Sequence, residues 1–110
     1  MKLPDGERAV VDIAKLRDYC LSRTHTRGRH KARVFASRLG LSAVDAEFLR
    51  TELLRAAREG DAALGSKDEY GQRYIVDFEL DNQGRRAVIR STWIMRHGES
   101  TPRFTSCYVL

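Results

Sequence analysis

The hydrophobic rhythm of this chain changes once. From Asp12 to Gly60 apolar residues recur at helical spacing, and from about Tyr70 onward they alternate. Asp12 is placed to cap a first helix whose apolar side is Ile13, Leu16 and Cys20, with Tyr19 beside them. The pattern fades at Ser22, and Arg23 to Gly28 reads as a loop. Ala32, Phe35, Ala36 and Leu39 fall at i, i+3, i+4 and i+7 and predict a second helix over 29–39, stopped by Gly40. Ser42 caps a third helix, with Asp45 completing a capping box; its buried face is Ala46, Leu49, Leu53 and Ala57, and Gly60 ends it.

Beyond residue 70 the period is 2. Tyr74, Val76, Phe78 and Leu80 alternate with Arg73, Ile75, Asp77 and Glu79, which predicts a strand with one wetter face. Asp81–Gly84 is a turn, Arg86–Arg96 a second strand, His97–Pro102 another turn, and Arg103–Leu110 a third strand. In the middle strand Arg86, Val88, Arg90, Thr92, Ile94 and Arg96 share one face, opposite Ala87, Ile89, Ser91, Trp93 and Met95. Strict alternation puts Arg103, Thr105, Cys107 and Val109 on one face of the last strand, against Phe104, Ser106, Tyr108 and Leu110. The expected fold is α+β: N-terminal helices (about 12–59) packed on a three- to four-stranded antiparallel sheet (about 70–110), all within one domain, 1–110. Trp93 and Tyr74 fall on the apolar register and read as core, whereas Tyr70 and Gln72 are free to meet a ligand.

Composition narrows the function classes. No apolar run approaches the ~20 residues that cross a bilayer, and the N-terminus lacks the apolar stretch of a signal peptide, so the reading is cytoplasmic. Cys20 and Cys107, with three histidines and no metal-ligand spacing, read as ordinary thiols; no metal and no cofactor is expected. There is no phosphate-cradling glycine loop, nucleophile elbow or paired-carboxylate motif. The net charge of +5 is unevenly spread. Residues 1–40 hold 10 Lys/Arg against 4 Asp/Glu, residues 41–80 hold 5 against 9, and residues 81–110 hold 5 against 2. Two basic blocks around an acidic one point to an anionic partner if the fold reunites them.

The densest candidate chemistry is Arg23–Arg33, which holds His25, Arg27, Arg29, His30 and Lys31 and stands at a predicted helix start. Together with the Arg/Thr-bearing face of the later strands it offers an acid or base, phosphate clamps and hydroxyl donors, the parts of phosphodiester cleavage without a metal. A solvated basic loop and a solubilising sheet face explain the same residues.

The pattern Lys15-Leu16, Tyr19, Leu21, His25, Gly28, His30-Lys31-Ala32, Phe35, Leu39-Gly40 resembles the first half of a small bacterial domain family of unknown function. Tyr70-Gly71-Gln72-Arg73-Tyr74, Val76-Asp77, Arg90, Trp93, Pro102-Arg103, Thr105 and Cys107-Tyr108 resemble its second half. That group is distantly similar to the barnase/EndoU/colicin/RelE-type ribonuclease toxins, in which helices precede a four-stranded antiparallel sheet. The fourth strand this implies has two weak candidates, Arg8–Val11 and Ala62–Leu64. The resemblance implies a catalytic set of His30 or Lys31 with Arg90, Arg103 and Thr105, beside substrate-binding His25, Arg27, Arg29, Tyr70, Gln72 and Tyr108. The implied activity is metal-independent RNA cleavage by 2′-OH attack, with RNA and an acidic cognate antitoxin or immunity protein as partners. The alternatives are a non-catalytic module that binds RNA or a partner protein through the same basic surface, and an inert relic of the nuclease fold.

Overall fold

In a computed structural model that describes all of residues 1–110, the Asp12 carboxylate accepts from the Ala14 amide at 3.0 Å and starts α1. This helix is Ile13–Lys15, running on as a wider π turn, Leu16–Cys20. The second helix, α2, is Arg29–Val34 and also closes through a π turn, Phe35–Leu39, with Gly40 (φ 67°) left-handed at its end. A 3-10 turn, Ala43–Asp45, leads into α3, Ala46–Glu59, and the Ser42 amide donates to the Asp45 carboxylate at 2.9 Å. No helix is long and apolar enough to cross a membrane.

Four strands follow, β1 (Ala62–Asp68), β2 (Gly71–Asn82), β3 (Arg85–Arg96) and β4 (Arg103–Val109), as an antiparallel meander in that order. β2 and β3 pair along their whole length, from Gly71↔Arg96 to Asn82↔Arg85. The turn between them is two residues, Gln83 (φ 53°) and Gly84 (φ 88°), whose left-handed backbones match the twist of the strands. The fourth strand is the Ala62 candidate, extended to Asp68. Of the Arg8–Val11 candidate, only Val10 pairs, in an isolated parallel bridge to Arg103 on the outer edge of β4.

One face of the sheet carries the helices. Leu16, Cys20, Phe35, Leu39, Leu49, Leu53, Val76, Leu80, Ile89, Trp93, Phe104 and Cys107 are fully buried in one contiguous cluster between the layers. Trp93 meets Phe104 edge-on at 5.6 Å. Its indole N–H donates to Ser91 Oγ at 2.9 Å, and Ser91 in turn donates to the Val76 carbonyl at 2.6 Å, so both of these buried polar groups are satisfied.

The expected facing of β4 is corrected. Thr92 pairs with Ser106 but Trp93 pairs with Phe104, so Thr105 is an extra residue, a β-bulge. The bulge resets the alternation: Phe104 and Cys107 both point into the core, while Arg103, Thr105 and Tyr108 look outward with Arg90 and Ile94. A strict period of 2 cannot register an inserted residue, and this is why it misplaced Cys107 and Tyr108, which lie beyond the bulge.

Candidate functional site

The basic segment is anchored before it is exposed. Gly28 packs so closely on the end of α1 that a Cβ there would stand 2.4 Å from the Tyr19 carbonyl oxygen. His25 Nδ1 accepts from the Arg27 and Gly28 amides at 3.0 and 3.1 Å, and its ring stands edge-on to Tyr19 at 4.6 Å. The lone pair of His25 thus fills donors left open at the start of α2, the place where an anion was expected. His25 shapes the loop. Arg27 and Arg29 beside it stay exposed and unpaired.

From this anchored start α2 runs along the outer flank of β4. Lys31 reaches over it, its ammonium 4.8 Å from the centre of the Tyr108 ring. Tyr108 lies opposite Arg90 on β3. Arg90 is clasped by Asp77, Nε to Oδ1 at 2.9 Å and Nη2 to Oδ2 at 2.8 Å, and this hydrogen-bonded pairing raises its pKa further. Thr105, pushed out by the bulge, shares a hydrogen bond with the Thr92 hydroxyl and donates to the Thr92 carbonyl at 2.9 Å. It borders two hollows: one with Lys15, Tyr19 and Ser106 on the helical side of β4, the other with Tyr70, Arg73, Ile94 and Arg96 on the open face.

Of the predicted site residues, Lys31, Arg90, Thr105 and Tyr108 therefore gather along β4. Tyr70 stands across the second hollow, exposed and available for stacking. His30 is exposed on α2 and makes no hydrogen bond; of the His30-Lys31 pair it is the lysine that meets the sheet. Arg103 gives Nε and Nη2 to Glu99 at 3.0 and 2.8 Å, which holds the Glu99 carboxyl below its usual range. Gln72 is not free as its sequence position implied: its amide donates to the Gly65 and Arg73 carbonyls at 3.0 and 2.9 Å, bracing the irregular stretch of β1. Lys15, Tyr19 and Ser106 were not singled out for chemistry. Their signal was the i, i+4 spacing of Lys15 and Tyr19, which points both toward β4.

Charge divides along the same line. Every arginine on the open sheet face has a carboxylate partner: Arg73 with Asp68, Arg86 with Asp81, Arg90 with Asp77, and Arg96 and Arg103 with Glu99. Around α2 the reverse holds. Arg23, Arg27, Arg29, Lys31, Arg33 and Arg38 are all exposed, none forms a salt bridge, and no carboxylate lies between Asp18 and Asp45. Behind β4, Cys20 is pulled down to about 7 by its hydrogen bond with Cys107, while the same contact and burial push Cys107 up.

No cluster of histidine, cysteine and carboxylate side chains is arranged to hold a metal. Among solved structures the fold is similar to one chain of a contact-dependent growth inhibition toxin–immunity protein complex from Klebsiella pneumoniae 342. The TM-score is 0.70 at 17% identity, over 92% of this chain and 99% of that one. No curated protein matches the sequence. The sequence profile of a domain of unknown function, DUF6883, spans residues 2–110, and the chain belongs to that family.

Proposed function

We propose that this chain is a toxin-type module that binds RNA on the α2 surface and cleaves it, without a metal, at the outer flank of β4. The observation that carries this reading is the meeting of Lys31 with Tyr108 and Arg90 at the border between an unpaired cationic surface and the open sheet. Arg23, Arg27, Arg29, Arg33 and Arg38 would hold successive phosphates by charge. Lys31 and Arg90 would stabilise the extra charge on the scissile phosphate, and Tyr108 and Thr105 would donate hydroxyl hydrogen bonds. His30, free of other partners, would take the 2′-OH proton and return one to the leaving 5′-oxygen. Because the nucleophile belongs to the ribose, the products are a cyclic phosphate and a 5′-hydroxyl, and DNA is inert. The fold shared with a toxin–immunity complex supports the toxin-type class, and the same cationic surface suits an acidic neutralising protein.

One observation favours a second reading, a binding module without catalysis. Arg90 and Arg103 already hold Asp77 and Glu99, which takes up their charge. Incubation with RNA and DNA in EDTA separates the two. Cleavage of RNA alone, reduced at least ~100-fold by His30→Ala or Lys31→Ala, is expected. Retention of RNA without cleavage would leave the binding module; equal cleavage by both variants would remove the proposed site.

A further inference from the structure

Ile94 is only 6% exposed, yet it lies outside the hydrophobic core, on the open face of the sheet. It sits in a hollow of about 470 Å³ shared with Tyr70, Arg73, Arg96 and Thr105. The backbone of Tyr70 is pinned from both sides: its amide donates to Asp68 Oδ1 at 2.9 Å, and its carbonyl accepts from the His97 amide at 3.3 Å. The ring itself is 64% exposed, an aromatic surface fixed at its base and uncovered above. The two arginines differ. Arg73 is held by Asp68, whereas Arg96 makes no side-chain hydrogen bond. Its Nε stands 3.9 Å from the Glu99 carboxylate, which already accepts two hydrogen bonds from Arg103. An apolar floor, an anchored ring and a guanidinium with open donors thus meet in one hollow.

We propose that this hollow is a nucleotide subsite: an unpaired base lies on the Tyr70 ring above Ile94, and its phosphate takes Arg96. The subsite rests on the RNA reading above and narrows its substrate to a strand that is single at this point, because a paired and stacked base has no free face to offer. Stacking on an aromatic ring tolerates any base and raises affinity by a factor of roughly 10 or more. A tyrosine gives up only two side-chain torsions when it is covered, so an anchored ring binds at low entropic cost. The position fits as well. Arg90 and Ile94 share a face of β3 and stand ~13 Å apart at the ordinary rise of a strand, so RNA with its scissile phosphate at Arg90 reaches Tyr70 within a few nucleotides. The open guanidinium of Arg96, on a face where the other arginines are spent on carboxylates, favours a phosphate-bearing ligand over a protein surface.

The test is binding without cleavage: the isotope-labelled full chain is titrated with AMP and, separately, with ribose 5-phosphate, and read by amide NMR shifts. AMP is expected to move the amides of Tyr70, Ile94 and Arg96 and to bind at least ~10-fold tighter than ribose 5-phosphate. Tyr70→Ala should remove that advantage and Tyr70→Phe keep it, while Arg96→Gln should weaken AMP and leave adenosine unchanged. Equal binding of the two probes, or shifts confined to α2, overturns the subsite. So does AMP binding unmoved by Tyr70→Ala; if that variant instead abolishes self-association in sedimentation, the hollow is a protein contact. The two wild-type titrations decide the matter even if a variant fails to fold. Failure here with RNA cleavage intact leaves the proposed function standing, whereas AMP seated at Tyr70 in a chain that cleaves nothing removes the nuclease and keeps the subsite.

Discussion

Ser91 is the one buried residue of the core that is polar by type, and its hydroxyl is spent at both ends, on the Val76 carbonyl and the Trp93 indole. Replacing it with alanine leaves the indole N–H buried without a partner. Ser91→Ala is expected to cost about 1–3 kcal/mol in urea unfolding, with the fold retained. His25 is the second residue whose environment defines its role. It was read from sequence as a substrate contact, yet its ring nitrogen holds the entry to α2. His25→Ala should therefore lower stability by about 1 kcal/mol and loosen the Arg23–Gly28 loop in hydrogen exchange, before any effect on RNA is considered. Neither role follows from residue type, because both depend on which amide or carbonyl arrives from elsewhere.

At the scale of elements, local signals were strong where the partner is a near neighbour. Asp12, Gly40 and the Ser42/Asp45 pair act within a few residues of themselves, and each stands where its chemistry placed it. The fourth strand was faint because Ala62–Asp68 has a broken register and little to bury, and it forms largely because β2 offers it an edge. The bulge at Thr105 was invisible: its driving force is the demand that Phe104 and Cys107 both enter the core against Trp93 and Ser91. Deleting Thr105 should expose Phe104 or drive Arg103 inward, and destabilise the protein by about 3 kcal/mol or more. Thr105→Ala, which keeps the residue count, should cost far less; denaturant unfolding of the two variants side by side checks the difference.

Across the whole molecule, burial and charge occupy separate surfaces. The carboxylates Asp68, Asp81 and Glu99 are held below their ordinary range by hydrogen bonds to Arg73, Arg86 and Arg103. The folded state therefore binds fewer protons than the unfolded one. Stability from these pairs is present at neutral pH and declines as pH falls from about 4 through the depressed values. The melting temperature should drop between pH 5 and pH 3, and Asp68→Asn with Glu99→Gln should shrink that drop; the pairs are exposed, so the change is modest. The α2 surface has no such neutralisation. If it binds RNA, Arg27→Glu with Arg33→Glu should weaken binding at least ~10-fold at physiological salt and flatten its salt dependence, measured by fluorescence anisotropy.

The order of helices and strands, the inward faces of the helices and of β2 and β3, and the acid-free run around α2 were determined by the sequence alone, because period, caps and charge density act over a few residues. Tertiary structure decided which of those charges remain free. Asp77 and Glu99 quench Arg90 and Arg103 only once strands are paired and turned, and the bulge brings Tyr108 out beneath Lys31 only when Phe104 is packed. Both outcomes are set by contacts between distant residues, where the gain from burial or pairing exceeds what local alternation prefers.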